Sequence, residues 1–462
     1  MQVLGVSVAC TANDMRRAMS DLIVVGGGLA GCEAAWQAAN RGISVMLYEM
    51  RPARMTPAHV TDQLAELVCS NSLGSDLPDR AAGILKRELR QLGSLIMRCA
   101  DETAVPAGGA LAVDRQRFAD RVTQAIAHHP RITLCRQEVT AVPSSPAIIA
   151  SGPLTSDALA ADLLRLTGED HLYFYDAVAP IIAADSIDMT IAFRASRRDA
   201  SRDVGADYVN CPMLRSEYDA FVDALISAET IELKAFERED KRFFEGCLPV
   251  EIMARRGRES LSYGPLRPIG LRDPRTEHRP WAVVQLRQDN LAASMYNIVG
   301  FQTNLKWSEQ ARVFRMIPGL ARAEFYRYGM MHRNTFVNAP KLLEPTMRYR
   351  SRGDLFFAGQ ITGVEGYVGN AATGCVAGLN AARYLAGESP LVFPAETMLG
   401  ALCAYITNAD SATFQPMKAS FGILPALAQP LRSKRERNAA YANRAGQVLV
   451  DFLSGVTSRS HR

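Results

Sequence analysis

The sequence predicts an α/β protein whose parallel-sheet domain is interrupted by an inserted α+β unit. Three observations carry that prediction. Asp21-Leu22-Ile23-Val24-Val25 is an apolar, β-branched run that enters Gly26-Gly27-Gly28-Leu29-Ala30-Gly31 and then an alanine-rich stretch from Cys32 to Arg41. Two later apolar runs, Ala147-Ile148-Ile149-Ala150-Ser151-Gly152 and Leu355-Phe356-Phe357-Ala358-Gly359-Gln360, read as further buried strands ending in turns. The chain, at 462 residues, is also too long for one ordinary domain, so two are expected.

The run at 21–25 suits a strand buried on both faces of a parallel sheet. In the turn that follows, Gly26 permits the tight bend and Gly28 lets backbone N–H groups approach a pyrophosphate. Gly31 lets the next helix pack close to the strand, with its N-terminus facing negative charge. Leu29 and Ala30 belong to the same phosphate-binding turn. Gly42 ends the helix, and Ile43 to Tyr48 forms a second strand finishing at Glu49, a carboxylate able to accept hydrogen bonds from ribose hydroxyls. Strand, turn, helix, strand and terminal acid in that order mark a Rossmann-like dinucleotide site.

The later segments favour FAD over NAD. The 147–152 run, ending in Gly152, matches the strand that returns the chain to the cofactor in flavoproteins of the two-dinucleotide-fold type. The 355–363 run, with Gly359, Gln360, Thr362 and Gly363, matches their C-terminal flavin strand, and Gly369 to Leu385 reads as a helix aimed at the flavin. The expected organisation is a leader over 1–20, a FAD-binding domain over 21–185 and 337–455, an insertion over 186–336 and a tail over 456–462.

Composition is globular, 48% hydrophobic and 22% charged, with no uncharged apolar stretch long enough to span a membrane. The first twenty residues lack the basic start of a secretory signal. Nine scattered cysteines with no CxxC pair argue against a metal site and for reduced thiols in a cytoplasm. Net charge is only +4, yet residues 251–350 hold 17 Lys+Arg against 8 Asp+Glu, a surplus suited to a polyanion. Arg194, Arg197, Arg198 and Arg202 form one basic cluster, largely cancelled by nearby acids. Arg255, Arg256 and Arg258 form a second, and Arg435 lies in a third near the C-terminus. Such side chains would hold RNA phosphates rather than read bases.

The most specific strings are Val68-Cys69-Ser70-Asn71-Ser72-Leu73-Gly74 and Phe244-Glu245-Gly246-Cys247-Leu248-Pro249-Val250-Glu251. With them stand Tyr48-Glu49-Met50-Arg51-Pro52, Thr56-Pro57-Ala58-His59, Asn297-Ile298-Val299-Gly300-Phe301-Gln302-Thr303 and Phe414-Gln415-Pro416-Met417. Val105 to Arg115, Met331 to Phe336 and Gly359 to Val368 extend the pattern. Together, over residues 21 to 445, the sequence resembles the folate- and FAD-dependent tRNA (uracil-5-)-methyltransferases of bacteria.

That resemblance implies C5 methylation of the T-loop uridine conventionally numbered 54 in tRNA. The carbon would come from 5,10-methylenetetrahydrofolate and the electrons through FAD from NADH or NADPH; the T-arm would be the RNA partner, and no obligate protein partner is expected. Uracil C5 is a poor nucleophile until a thiolate adds to C6, and a second group must then remove the C5 proton. Flavin, folate and a flipped-out base must therefore share one pocket. By motif, Cys69 and Cys247 match the family's two catalytic cysteines; Cys247 is assigned the attack on C6 and Cys69 the flavin-side role, with the reverse left open. His332 matches the position that stacks on the folate pterin. One departure stands out: the family's usual Glu-Ser after Tyr-Val is Gly369-Asn370 here. The alternatives are a wobble-uridine modifying flavoprotein, which has a long C-terminal helical extension, an rRNA uracil methyltransferase, a plain FAD-dependent NAD(P)H oxidoreductase, and an RNA-binding factor without turnover.

Overall fold

The computed structural model describes residues 20–168, 172–177, 179–197, 207–231, 248–429 and 431–459. The expected leader, except Ser20, lies outside them, as do Cys247, Arg198 and Arg202.

The glycine turn joins strand β1 (Leu22–Val25) to helix α1 (Leu29–Ala39), which leads to β2 (Val45–Tyr48). There follow β3 (Ser72–Ser75), α2 (Ala81–Gln91), α3 (Leu95–Glu102), β4 (Ala104–Val105), β5 (Ala110–Val113), α4 (Arg115–Ala127), β6 (Ile132–Cys135), β7 (Ala147–Ile149) and α5 (Asp157–Thr167). The chain leaves this domain along β8 (Leu172–Ala177). It then builds β9 (Ile181–Ala183), β10 (Phe193–Ala195), β11 (Tyr208–Met213), α6 (Arg215–Ser227), α7 (Val250–Arg256), β12 (Ala282–Gln288), β13 (Met295–Ile298), α8 (Trp307–Phe314) and β14 (Phe325–Arg327). It returns along β15 (Met331–Phe336) to β16 (Leu355–Phe357), α9 (Tyr367–Leu385), α10 (Met398–Asn408) and α11 (Lys434–Arg459).

The first sheet is parallel throughout, in the order β16-β7-β1-β2-β6. From β1 the chain builds one way through β2 and β6, then restarts on the other side with β7. This leaves a switch point at the β1–β7 boundary, where open α/β sheets bind ligands beyond their carboxyl ends. The sheet strands are buried almost without exception, which is why they read as continuous apolar runs. Helices α1 and α9 cross at backbone contact. A Cβ on Gly374 would stand 2.3 Å from the Ala30 carbonyl oxygen, and one on Gly378 would stand 2.4 Å from that of Ala34. Glycine on one helix against alanine on the other explains the small-residue bias of both.

The second sheet is antiparallel, ordered β10-β11-β12-β13-β9-β14, with its own hydrophobic core built around Phe221, Phe301 and Phe314. Two separate cores account for the length of the chain. The β8–β15 pair forms a two-stranded antiparallel ribbon between the domains. Strand β9 lies ahead of the boundary expected at residue 186 and yet pairs with β13. Its three residues carry little signal of their own and are recruited by their neighbours. The expected tail from 456 instead continues helix α11 to Arg459. A three-stranded sheet, β3-β5-β4, stands where the two domains meet.

Candidate active site

A cavity opens at the carboxyl ends of β1, β2, β6, β7 and β16. Its walls include Gly26, Gly27, Gly28, Leu29, Ala30, Glu49, Gly152, Gly359 and Gln360. The turn is shaped by contacts that exclude any side chain. A Cβ on Gly26, whose φ is +107°, would lie 2.4 Å from the Ala150 carbonyl oxygen, and one on Gly31 would lie 1.8 Å from that of Gly26. At Gly28 a Cβ would meet nothing within 4 Å, so this residue faces the open cavity at the N-cap of α1. A cradle of bare backbone ahead of a helix N-terminus suits a pyrophosphate.

Glu49 ends β2 in an ordered network. One carboxylate oxygen accepts from the Gly27 N–H at 2.9 Å, and the other accepts from the backbone N–H and Nε of Arg51 at 3.0 and 2.9 Å. Burial works against the charge, but the Arg51 ion pair and these bonds hold the carboxyl below its usual range. A carboxylate has about four acceptor positions, so one is left toward a ribose hydroxyl. His59 also lines the cavity; burial and the nearby Arg51 push its imidazole down to about 4, so it is neutral at pH 7. Its Nδ1 lies 2.6 Å from the Thr56 hydroxyl. At the far wall the buried Asn370 Oδ1 has no hydrogen-bond partner among the described residues, an acceptor left for a bound group. The donors, the cradle and this orphan acceptor fit a dinucleotide carrying a flavin.

Three residues named with the cofactor site stand behind the cavity wall. Gly31 makes room for helix packing. The Thr362 hydroxyl donates to the Gly359 carbonyl at 2.8 Å, closing the turn after β16. Gly363, at φ +80°, has Phe414 2.6 Å from where a Cβ would stand. These residues shape the wall without lining it.

Cys69 stands beside the cavity, whose wall includes its neighbours Val68 and Tyr367. The Tyr367 hydroxyl accepts from the backbone N–H groups of both Cys69 (2.8 Å) and Ser70 (3.2 Å). Burial and the adjacent Cys69 push that phenol well above the ordinary tyrosine range, so it stays protonated. Arg115 donates to the carbonyls of Leu67 (2.6 Å) and Cys69 (3.1 Å) while pairing with Asp289 at 2.8 Å. From β12, Arg287 donates to the Asn71 side chain (2.9 Å) and the Ser70 hydroxyl (2.8 Å). Arg327 from β14 donates to the Ala58 carbonyl at 3.3 Å, and its charge reaches Cys69. Arg115, Arg287 and Arg327 thus converge on the Cys69 segment, with Asp289 matching the charge of Arg115. The sequence strings contained Arg115 and Tyr367 but gave neither a role. Arg287 carried no sequence signal.

His332 sits on β15, its backbone in register with Asp176. Cys247 lies outside the described residues; just beyond it Leu248 and Pro249 are buried, and the Val250 N–H donates to the Gln302 carbonyl at 2.7 Å. The basic clusters divide. Arg258 is consumed by Asp223 (2.7 Å) and Asp219 (3.3 Å), so it does not present a bare charge to phosphate. Arg255 donates to the Ile226 carbonyl, Arg256 closes α7, and Arg435 is exposed on the first turn of α11. In the first cluster Arg194 donates to the Tyr296 hydroxyl and Arg197 to the carbonyls of Pro265 and Arg267. Among the described residues no helix is long and apolar enough to cross a membrane.

Fold and site together define a two-part α/β flavoprotein with an insertion docked against its cofactor domain. Residues 21–389 match the family described as glucose inhibited division protein A. The chain is 57% identical over 433 residues to the methylenetetrahydrofolate--tRNA-(uracil-5-)-methyltransferase TrmFO of Anoxybacillus flavithermus, covering 94% of this chain and 99% of that one. It is 59% identical over 432 residues to the protein of the same name from Heliobacterium modesticaldum, covering 93% and 97%. This chain belongs to the methylenetetrahydrofolate–tRNA-(uracil-5-)-methyltransferase family. Among solved structures, Aquifex aeolicus GidA superposes with a TM-score of 0.68 at 17% identity, over 94% of this chain and 76% of that one, a likeness of fold.

Proposed function

We propose that this chain methylates C5 of uridine 54 in the T-loop of tRNA, with 5,10-methylenetetrahydrofolate as carbon donor, FAD as the redox cofactor and NADH or NADPH as reductant. The observation that supports this best is the Cys69 segment. It is tied to the cofactor side by Tyr367 and Arg115 and to the insertion by Arg287. A thiol so placed stands where a cofactor and an RNA base bound on the insertion side would meet.

The chemistry assigns the chain's own groups as follows. A cysteine thiolate, Cys247 in this reading, adds to uracil C6, so that C5 forms its bond to the one-carbon unit. Cys69 serves on the flavin side, receiving the C5 proton; the electron pair of that C–H bond expels the tetrahydrofolate amine, and once hydride has reached the methylene carbon the C5–C6 double bond re-forms and expels the Cys247 thiolate. When bound and reduced by NADH or NADPH, FAD would supply the hydride that converts the methylene to methyl. Gly26, Gly27, Gly28 and Glu49 would hold its adenosine and pyrophosphate portion, and His332 would face the folate.

The test is covalent trapping on a T-arm RNA carrying 5-fluorouridine, comparing Cys69→Ala with Cys247→Ala. Fluorine cannot leave as the C5 proton does, so the C6 adduct accumulates. The expected result is an adduct with Cys69→Ala and none with Cys247→Ala; adducts of equal yield with both variants would refute the assignment. Methyl incorporation tests the reaction itself. If the FAD-loaded protein with folate and NAD(P)H makes no 5-methyluridine in a tRNA transcript, the activity is wrong.

A further inference from the structure

Beside the pocket arginines stands a feature the chemistry above does not use. Three aromatic rings of the insertion form a column. Trp307 stacks on Tyr328 with ring centroids 5.9 Å apart and planes 14° apart, and Tyr328 stacks on Phe325 at 4.9 Å and 18°. The inner end is anchored: the Arg315 guanidinium lies 5.8 Å from the Phe325 ring centre and donates twice to the Ala323 carbonyl. The outer end is open, with Trp307 55% exposed. At its inner end Phe325 packs against the domain's own core, whose fully buried rings include Phe221, Phe301 and Phe314. The stack therefore runs from that core outward to an indole left in solvent.

Its position matters. The register of β14 shifts between Phe325 and Arg327, so Phe325 and Tyr328 share the column while Arg327 turns to the Ala58 carbonyl of the cofactor domain. One short segment therefore carries both the column and a cation of the Cys69 surroundings. Of the five Lys+Arg in residues 306–328, Lys306 pairs with Glu229 and Arg312 with Glu309, both at 2.6 Å. Near-parallel aromatic rings ending in solvent are what an unpaired base stacks on.

We propose that the Trp307–Tyr328–Phe325 column is a stacking platform for an unpaired RNA base next to the target uridine, with Trp307 as the ring the base covers. The proposal rests on the RNA-methylating reading and names a subsite for that same substrate. A uridine drawn out of its loop leaves its neighbours without stacking partners. The exposed indole, on a column whose segment also reaches the cofactor domain through Arg327, replaces that partner and holds the opened loop.

The test uses FAD-loaded full-length protein and a T-arm RNA, intact or with an abasic residue on either side of the target uridine. Trp307→Ala is expected to weaken RNA binding about tenfold and Trp307→Phe, which keeps a ring, by less than about threefold. One abasic RNA should bind wild type about tenfold more weakly and bind Trp307→Ala no more weakly than the intact RNA does. The chain has only three tryptophans, so a Trp36→Phe/Trp281→Phe background isolates the Trp307 fluorescence, which RNA should quench. Unchanged affinity in Trp307→Ala, or an undiminished abasic effect in that variant, would overturn the platform. If Trp307→Ala loses FAD or fails to fold, quenching in the tryptophan-depleted wild-type background decides, and its absence overturns the proposal. Wild type that methylates T-arm RNA while Trp307 shows no coupling loses only the platform. Wild type that never methylates loses the underlying reading.

Discussion

Replacing Tyr367 with Phe removes one oxygen and keeps the ring. That oxygen accepts the N–H groups of Cys69 and Ser70, at 2.8 and 3.2 Å, and both donors would be left without an acceptor. An unsatisfied buried donor costs about 1–3 kcal/mol. Giving the longer bond the lower value, the loss is about 2–4 kcal/mol, confined to the Cys69 segment. At about 1.4 kcal/mol per decade, local opening becomes roughly 30- to 1000-fold more frequent. Hydrogen exchange read by mass spectrometry on a peptide spanning residues 67–72 is the assay, with a β1 peptide as internal reference. The two amides should lose their protection while β1 keeps its own, and iodoacetamide should alkylate Cys69 faster. Bound FAD, followed by its visible absorbance, separates local loosening from general unfolding. Unchanged exchange at Cys69 and Ser70 would mean that Tyr367 does not hold the segment, and the account of how Cys69 is positioned would fail.

Gly31→Ala places a methyl 1.8 Å from the Gly26 carbonyl oxygen, so it should abolish FAD retention and lower the melting temperature. Gly28→Ala meets nothing within 4 Å in the protein and should fold normally while binding FAD weakly; equal melting temperatures for the two variants would contradict the division of roles. Glu88 accepts the N–H groups of Met398 and Leu399 at 2.8 Å each, and burial pushes its carboxyl up to about 7. Because the folded state then binds the proton more tightly, its stabilising contribution is full below the ordinary carboxyl pKa and lost as pH rises through about 7. Relative to Glu88→Gln, wild type should therefore lose on the order of 3 kcal/mol between pH 4.5 and 7.5, and a pH-independent difference between their unfolding curves would exclude the shift. Arg258→Ala, with its charge already matched by Asp219 and Asp223, should leave the slope of log Kd for tRNA against log salt unchanged. A drop of about one in that slope would show that Arg258 meets a phosphate after all.

The cofactor cradle was legible because its glycines are fixed by local sterics. The Gly26–Gly31 contact spans five residues, and the tight turn, the strand and the alanine helix that impose it lie in one stretch of sequence. The surroundings of Cys69 were not legible from spacing. Arg287 reaches Asn71 across 216 residues, and Tyr367 reaches Cys69 across 298. No periodicity encodes a contact of that kind, and only the motif resemblance marked Cys69 as more than a small apolar residue. For the arginine clusters the charge was visible, but the acids that pair with Arg258 lie 35 and 39 residues away. Short strands such as β9 were invisible for a related reason. Three residues take their conformation from β13 and β14 more than from themselves.

The end of β12 explains how two separately cored domains can share one site. Arg287 and Asp289 flank the last residue of this strand, and they reach the cofactor domain by different means. Asp289 pairs with Arg115, which itself holds the Leu67 and Cys69 carbonyls; Arg287 holds Ser70 and Asn71 directly. The Gln288 carbonyl between them accepts from the Asn71 side chain at 2.8 Å. Three consecutive residues thus grip one short segment through charged and backbone groups. Buried polar contacts of this kind are demanding in geometry, because each partner left unmatched costs free energy. An apolar interface would tolerate sliding by a methyl group or two. This one does not, so the position of Cys69 is tied to the register of the insertion's sheet. The insertion and the Cys69 segment are therefore aligned by the same few hydrogen bonds.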